Sequence, residues 1–571
     1  MRLKIIKLVI IGLFLSLIFG LVHLQIIKGQ EFYDLSRYNR IRIVPIDGNR
    51  GRILDRNGVV LADTRISFDV VVIPQEIKNK EDLFSFLGTT LEIENDKLLK
   101  LFRERSAAPF VPVVIQEDLS REKAIILEEN KFRFPGLLVN VGAKREYPFG
   151  KVGAHILGYV SRINQDKLKK FKDYGYSVQD VTGYSGVEEY YDNFLRGRDG
   201  GVQVEVNNRG KQMRLLGMKE SLKGQDLILG IDARIQKIAS DVLSEKKGAI
   251  VVLDLNTGEV LAMVSSPSFD PNAFVDSAKS KERAELIFDS DAPMMNRAIS
   301  GQYPPGSIFK IPMALAVLDQ KKVSLDKTFF CNGSYRLGRR SFRCSHSHGM
   351  QSFTEAIAHS CNVYFYNVGL LLGPEAMREY AFLFGLGIPT NIDLPYERVG
   401  LVPDATQFFK RAGRSWSRGD TLNFSIGQGD VLTTPIQIAN MISTVARGGR
   451  EITPHIMISI GDVDKKELIL ARNIDISEKY FEDVKVGMKA AVEEYSGTAH
   501  LLAIPGISVS GKTGTAQTSG GKKHHAWFSG FCPETKRRIS FCVFLEHGGS
   551  SYYACRAARK LLIAMRKQKI I

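Results

Sequence analysis

A serine and a lysine three residues apart are the first side chains in this 571-residue sequence that can do chemistry together. Ser307 and Lys310 follow Pro304-Pro305-Gly306, and proline favours the first turn of a helix. On a helix this spacing puts both side chains on one face, about 5–6 Å apart. A serine hydroxyl is a weak nucleophile, and a lysine amine can take its proton once burial lowers the lysine pKa. The pair predicts covalent catalysis; because Ser-x-x-Lys is common, an ordinary surface helix is the alternative.

Ser360 and Asn362 form a second candidate pair, on either side of Cys361. The preceding Ser352-Phe353-Thr354-Glu355 is typical of a capping box that opens a helix, and a second helix is predicted from Val363. The pair is therefore expected at a junction between helices, where the hydroxyl can relay a proton and the amide can hold a peptide carbonyl. The alternative is that both residues only cap helices.

A third candidate group is Lys512-Thr513-Gly514-Thr515, predicted to lie on an edge strand. Gly514 leaves room for another backbone, so that an extended peptide can add to the sheet as a further strand. Lys512 and the hydroxyls of Thr513 and Thr515 would meet a terminal carboxylate. A glycine-rich hairpin is the alternative for this segment alone. Ser-x-x-Lys, Ser-x-Asn and Lys-Thr-Gly in this order are, however, the pattern of penicillin-binding proteins and serine β-lactamases.

The composition is that of a folded protein that lies mostly outside the membrane. Apolar residues make up 44% and charged residues 25%, which excludes a disordered chain, a collagen and a multi-spanning membrane protein. A net charge of +16 favours contact with anionic surfaces, such as membrane lipid or acidic cell-wall polymer. Nothing resembles a nucleic-acid module, so no nucleic-acid partner is expected.

The N-terminus is predicted to be a membrane anchor. Leu8 to Leu24 is almost entirely apolar, and Arg2, Lys4 and Lys7 precede it. With residues 25–27 the stretch approaches the length that spans a bilayer, and the basic residues place the N-terminus in the cytoplasm. A cleaved signal peptide is the alternative, but no small-residue pair follows the apolar run. We expect a single-pass protein of the cytoplasmic (inner) membrane, with the catalytic domain periplasmic or otherwise extracytoplasmic.

Three segments and a multidomain α+β fold are predicted. Residues 1–28 form the cytoplasmic tip and the anchor. Residues 29–224 form a non-catalytic unit, strand-like from Gln30 to about Thr64 and again near 180–225, with an inserted lobe at about 68–150. Residues 225–571 form a mixed α/β domain. Its first elements are a helix from Ala233 to Leu243 and a buried hairpin of two apolar runs around Asn256-Thr257-Gly258.

The whole chain resembles a class B penicillin-binding protein and is most similar to the penicillin-binding protein 2 type, which acts in cell elongation. Besides the three motifs, the resemblance rests on segments that match the family's N-terminal motifs and its flanking motifs: Arg50–Gly58, Arg145–Pro148, Gly153–Gly158, Gly183–Glu188, Asn296–Ala298 and Gly427–Gly429. It implies a β-rich pedestal or dimerisation domain with a head lobe. It also implies a C-terminal transpeptidase domain, built as a mixed antiparallel sheet flanked by helices.

The resemblance also implies an activity, that of a serine-type D-Ala-D-Ala transpeptidase. Ser307 would attack the stem peptide, Lys310 would take its proton, Ser360 would relay that proton, and Asn362 would hold the substrate amide. The remaining substrate contacts would come from the third motif: Lys512, Thr513, Gly514 and Thr515. β-Lactams would acylate the same serine. The implied partners are peptidoglycan stem peptides, a SEDS-family glycan polymerase and the elongation machinery.

Other functions with the same motifs remain open. A division-type transpeptidase of the same class is the nearest. A D,D-carboxypeptidase (a hydrolase) or a β-lactamase would pass the acyl group to water, but no carboxylate motif for a deacylating base is evident. An acylated sensor without cross-linking activity is a further alternative.

Four residues between the first and second motifs suggest a structural metal. Cys331, Cys344, His348 and Cys361 are spaced 13, 4 and 13 apart, and such a set fits a tetrahedral Cys₃His zinc site. Elongation-type relatives are similar in having a zinc-ligand set in this segment. His346 could replace His348, and a Cys331–Cys344 disulfide or unlinked thiols are the alternatives to zinc. The acyl transfer itself needs no cofactor.

Overall fold

The apolar runs predicted to form a buried hairpin are neighbouring strands of a five-stranded sheet. A computed structural model describes the chain except for residues 1, 33–40, 47, 107, 110, 172–175, 177–179, 207–211, 462, 465–470 and 519. It divides the chain into two units, Met1–Arg50 with Arg196–Gly224 and Gly51–Leu195 with Gln225–Ile571.

The first unit consists of a helix and a small sheet. The helix spans Arg2–Val22 and continues as a π-helical turn over His23–Ile27. Within the described residues, Leu3–Ile27 is the helix that is long and apolar enough to cross a membrane. The sheet is antiparallel, in the order Ile41–Ile46, Gly200–Val206 and Gln212–Lys219. Strands therefore occur in both regions that were predicted to be strand-like, although residues 33–40 and 47 of the first region and residues 207–211 of the second lie outside the described part.

A strand-rich region with its own small core forms the first part of the second unit. The long strand Val60–Val72 pairs with Leu137–Glu146 on one side. Its sheet has the order Val463–Asp464, Met457–Ile460, Leu227–Leu229, Ile53–Leu54, Val60–Val72 and Val113–Gln116. The helices of this region are Lys80–Leu91, Asn95–Arg105 and Arg121–Asn130, and their apolar faces bury Phe84, Leu87 and Phe102 against Val70 and Val72.

A buried ion pair lies between this region and the short helices that follow it. Arg145 Nε donates to Glu188 Oε1 at 2.7 Å, and both side chains are buried. The same guanidinium donates to the Gly51 carbonyl at 2.7 Å, and the Tyr147 hydroxyl also donates to Glu188, at 3.3 Å. The pair thus joins three of the segments that carry the family resemblance. The neighbouring elements are Ala154–Leu157, Val160–Arg162, Gln165–Lys170, Val181–Gly183, Gly186–Tyr190 and Asp192–Leu195.

The second part of this unit is built on a five-stranded antiparallel sheet. Its order is Val260–Ser266, Gly248–Asp254, Ile539–Leu545, His525–Cys532 and Ser510–Ala516. The first four strands are buried along their whole length, because helices cover both faces, and this explains their continuous apolar sequence. The helix Ala233–Leu243 and the hairpin that follows it confirm the sequence prediction.

Alternate residues of the second strand of this sheet, Gly248–Asp254, face two different cores. Ile250 and Val252 pack with helices Ala233–Leu243 and Ser551–Lys567, whereas Val251 faces the larger cluster of helices. The other α-helices described in this domain are Asn272–Val275, Ser280–Phe288, Lys310–Asp319, Phe353–Ala358, Asn362–Leu383, Ala405–Ala412, Arg418–Ser425, Pro435–Ala446 and Glu478–Glu493. Its two-stranded sheets pair Phe329–Cys331 with Gly349–Gln351, Ser334–Leu337 with Arg340–Arg343, and Arg450–Ile452 with Ala471–Asn473.

Candidate active site

The predicted nucleophile lies on a tight turn against the edge strand. Gly306–Phe309 forms a 3₁₀ turn that leads into the α-helix Lys310–Asp319, so the helix start is slightly tighter than predicted. Gly306 has a φ of +55°, and a Cβ there would lie 2.7 Å from the Thr515 carbonyl oxygen. Only glycine fits this approach, which brings the half-buried Ser307 next to the Lys-Thr-Gly strand Ser510–Ala516.

Lys310 joins the first two motifs. Its Nζ donates to the Ser360 carbonyl at 2.7 Å, to Ser360 Oγ at 3.2 Å and to Asn362 Oδ1 at 2.7 Å. The side chain is fully buried, and this desolvation lowers the lysine pKa from 10.5 to about 8, although the nearby thiols of Cys344 and Cys361 oppose the shift. Lys310 is therefore much closer to the neutral, proton-accepting form at neutral pH than an exposed lysine is.

Ser360 and Asn362 lie at the predicted helix junction. The helix Phe353–Ala358 begins with the predicted capping box, and Asn362–Leu383 follows. Ser360 has a φ of +57°, a left-handed conformation that non-glycine residues seldom adopt. The Asn362 amide nitrogen donates to the Arg343 carbonyl at 3.1 Å, while its oxygen accepts from Lys310. Both ends of this amide are thus held in place.

The Lys-Thr-Gly strand lies at the edge of the five-stranded sheet, as predicted. Lys512 is buried, and desolvation together with the charge of Lys310 lowers its pKa well below the usual value. A Cβ at Gly514 would lie 2.8 Å from the Pro305 carbonyl oxygen, so a larger residue would push the nucleophile turn away. The Thr515 hydroxyl accepts the Ser551 N–H at 3.3 Å, which attaches the strand to the last helix.

A loop that the sequence analysis did not single out connects the second and third motifs. Thr498 Oγ1 donates to the Ala358 carbonyl at 3.2 Å and accepts from Thr513 Oγ1 at 3.0 Å. The Thr498 N–H also donates to the Ala358 carbonyl, at 3.2 Å. The available signal was the small-residue run Ser496–Ala499, but a run of this kind has no chemistry by itself.

Gln428, within the matched Gly427–Gly429 segment, makes a second connection. Its Nε2 donates to the Thr515 carbonyl at 3.1 Å, and its Oε1 accepts the Gln517 N–H at 3.3 Å. The Gly427 carbonyl also accepts the Gly306 N–H, at 3.0 Å. This loop therefore holds the nucleophile turn and the edge strand together.

The four predicted metal ligands lie side by side. One ligand atom from each of Cys331, Cys344, His348 and Cys361 falls within 4.8 Å of the others, whereas His346 is not in the group. The Nδ1 atom of His348 is 3.5 Å from the sulfur of Cys331 and 3.5 Å from that of Cys344. Zinc–sulfur bonds of about 2.3 Å in a tetrahedron separate neighbouring ligand atoms by about 3.8 Å, so this donor set fits a zinc ion after a small contraction.

One of the three thiols is stabilised in its thiolate form. A hydrogen bond from the Cys361 thiol and the N–H groups of Asn362 and Val363 lower the pKa of Cys344, while the bond between the two thiols raises the pKa of Cys361. The Asn362 N–H donates to the Cys344 sulfur at 3.2 Å. These groups belong to the start of a helix, where thiolates are stabilised. The other cysteines, Cys532, Cys542 and Cys555, are buried in the core as predicted.

Comparison with known proteins agrees with this architecture. The model of the penicillin-binding protein transpeptidase domain matches residues 248–564, and that of the penicillin-binding protein dimerisation domain matches residues 45–229. The peptidoglycan D,D-transpeptidase MrdA of Escherichia coli K12 is 32% identical over 562 residues, which cover 94% of this chain and 89% of that protein.

Two solved structures share the fold over nearly the whole chain. The penicillin-binding protein PBP2 in its complex with MreC from Helicobacter pylori superimposes with a TM-score of 0.82 at 27% identity, covering 93% of this chain and 99% of that one. A chain of a peptidoglycan synthase complex that coordinates polymerization and crosslinking superimposes with a TM-score of 0.76 at 31% identity. The match covers 99% of this chain and 98% of that one. The chain belongs to the penicillin-binding D,D-transpeptidases of the elongation type represented by MrdA. The predicted family, fold class and enzyme class are thereby confirmed, and the elongation type is favoured over the division type.

Proposed function

We propose that this protein cross-links peptidoglycan stem peptides through an ester formed on Ser307. The observation that carries the proposal is the Lys310 amine, which is buried, has a lowered pKa and is hydrogen-bonded to Ser360 and Asn362 beside the turn that contains Ser307. An ammonium group cannot accept a proton, but with a pKa of about 8 a sizeable fraction of the amine is neutral near pH 7 and can do so.

In the first half of the reaction Ser307 Oγ attacks the carbonyl of the penultimate D-Ala, and its proton passes to Lys310 Nζ. The tetrahedral oxyanion accepts from the backbone N–H groups of Ser307 and Thr515, the donors that the family resemblance implies. The peptide C–N bond then breaks. The proton leaves Lys310 through the Ser360 hydroxyl to the departing D-Ala amine, in keeping with the 3.2 Å contact between Lys310 Nζ and Ser360 Oγ.

In the second half an amine of a neighbouring stem peptide attacks the Ser307 ester. The new amide bond forms, the ester C–O bond breaks, and the amine proton returns to Ser307 by the same relay. Asn362 holds the substrate amide, and Lys512, Thr513 and Thr515 bind the terminal carboxylate. The space at Gly514, which the sequence suggested for the substrate peptide, is taken by the Pro305 carbonyl, so this glycine instead lets the turn with Ser307 lie against the strand. A β-lactam acylates Ser307 in the same way, but its ring-opened product stays attached.

The test compares wild type with Ser307→Ala. Wild-type protein should form a stable adduct with a fluorescent penicillin and cross-link a polymerised glycan. Ser307→Ala should do neither, while its melting temperature stays the same. Adduct mapped to Ser360 would overturn the assignment. Rapid turnover of the penicillin would indicate a β-lactamase. Release of D-Ala without cross-links would indicate a carboxypeptidase. A stable adduct with neither cross-links nor released D-Ala would indicate a sensor.

We also propose that Cys331, Cys344, His348 and Cys361 hold one structural zinc ion. Protein side chains would occupy all four coordination positions of the ion. The ion would therefore fix the loop that contains Ser360 and Asn362 and would take no part in the acyl transfer. Elemental analysis should find about one zinc per chain. Cys344→Ser should lose it and unfold at a lower temperature, whereas Cys532→Ala, in the distant core, should keep it. The site would be refuted if purified wild-type protein contained no metal and were as stable as protein supplied with zinc. It would also be refuted if mass spectrometry found a Cys331–Cys344 disulfide.

The third part of the proposal is the setting of the enzyme. Leu3–Ile27 anchors it in the cytoplasmic membrane with the N-terminus inside, and the non-catalytic region contacts a SEDS-family polymerase and the elongation machinery. Solved complexes of similar chains with MreC and within a peptidoglycan synthase complex support this. Protein that begins near Lys28 should leave the membrane fraction and still bind penicillin; a wild-type N-terminus after residue 20 would indicate a cleaved signal instead.

A further inference from the structure

A strongly basic hairpin lies beside the candidate active site. Residues 327–354 contain five lysines and arginines and not one aspartate or glutamate. Four of the five are arginines on the small hairpin formed by Ser334–Leu337 and Arg340–Arg343, named here the arginine hairpin. Arg336, Arg339, Arg340 and Arg343 are all exposed, and none of them forms an ion pair within the described part of the chain. The fold therefore leaves this concentrated positive charge without internal compensation.

The arginine hairpin is attached directly to the second catalytic motif. The Arg343 carbonyl accepts from the Asn362 amide nitrogen at 3.1 Å and from the Tyr366 hydroxyl at 3.2 Å. The next residue, Cys344, accepts the Asn362 N–H. A ligand held by the hairpin would thus lie at the rim of the Ser307 site and not on a remote surface.

The two faces of the arginine hairpin have different tasks. Tyr335 is paired with Phe342, and both rings lie about 6 Å from the Tyr366 ring, so this face packs on the helix that begins at Asn362. The opposite face places Arg336 and Arg343 alongside two serines. Guanidinium groups bind carboxylates through paired hydrogen bonds. Like charges on one short hairpin repel one another, and an anion bound between them reduces this repulsion. The packed face keeps the charged face presented to solvent.

We propose that the arginine hairpin binds carboxylates of the uncross-linked peptidoglycan strand and so holds stem peptides beside Ser307. This proposal rests on the proposed transpeptidase function. Each unprocessed stem peptide ends in a carboxylate, and the Lys-Thr-Gly strand takes only the one that is reacting. Neighbouring peptides of the same strand then supply repeated negative charge at the rim. An array of exposed arginines can bind several such carboxylates, whereas a single buried site can bind only one.

The experiment measures binding of soluble, uncross-linked peptidoglycan strands to the detergent-solubilised full chain. Arg336→Ala/Arg339→Ala should bind the strand about five- to thirty-fold more weakly, because each exposed ion pair is worth up to about 1 kcal/mol. Its penicillin labelling rate and melting temperature should match wild type. Lys560→Ala/Lys567→Ala removes the same charge from the exposed side of helix Ser551–Lys567 and should leave strand binding unchanged. Arg336→Lys/Arg339→Lys should recover part of the affinity.

A second probe separates the source of the negative charge. A strand whose carboxylates have been amidated should bind wild type as weakly as the native strand binds the double alanine variant. The proposal would be overturned if wild type and Arg336→Ala/Arg339→Ala bound the native strand with equal affinity. It would also be overturned if wild type bound the native and the amidated strand with equal affinity. Vesicles of phosphatidylglycerol that bind in a hairpin-dependent manner while the strand does not would assign the surface to lipid. Loss of wild-type penicillin labelling would instead refute the proposed function itself.

Discussion

The pH dependence of acylation is the most direct test of Lys310 as the base. Its pKa is lowered to about 8 because burial disfavours the charged amine. About 10% of the amine is then neutral at pH 7 and about 90% at pH 9, whereas a lysine with the usual pKa of 10.5 would be about 0.03% neutral at pH 7. The rate of penicillin acylation should therefore rise about tenfold from pH 7 to pH 9 and level off above it.

Stopped-flow acylation with a fluorescent penicillin measures this profile, and three variants interpret it. Lys310→Arg keeps a charge that does not titrate, so acylation should fall by about 10²- to 10⁴-fold and lose its dependence on pH. Lys310→Ala should lose a similar factor. Lys322→Ala, at an exposed lysine just beyond the same helix, should keep the wild-type profile. A rate that is flat from pH 6 to 9, or one that still rises tenfold per unit at pH 10, would refute the argument.

Two further variants test the groups that support the site. Thr498→Val keeps the side-chain shape but removes the hydroxyl between Ala358 and Thr513, so about 1–3 kcal/mol of hydrogen bonding is lost. Acylation should slow in this variant and recover in Thr498→Ser. Wild-type kinetics in Thr498→Val would contradict a role for these two hydrogen bonds. Arg145→Met removes the guanidinium from the buried Glu188 carboxylate and should cost about 3–5 kcal/mol in the free energy of unfolding. Calorimetry measures this loss, and an unchanged melting temperature would show that the pair is dispensable.

Local rules were sufficient for much of this protein. Helix Ala233–Leu243 and the following hairpin were predictable because apolar periodicity and an Asn-Thr-Gly turn depend only on neighbouring residues. The same is true of the capping box at Ser352 and of the long apolar helix near the N-terminus. The order of three short motifs was enough to indicate the chemistry, because acyl transfer needs particular residue types.

Tertiary structure decided what those residue types become. Lys310 meets Ser360 and Asn362 across some fifty residues, and only the burial produced by that meeting lowers its pKa. Thr498 became part of the site because packing places it between Ala358 and Thr513, a contact that no local pattern encodes. Desolvation and hydrogen bonding depend on distances in space, and the chain sets those distances only when its helices and sheet close around one core.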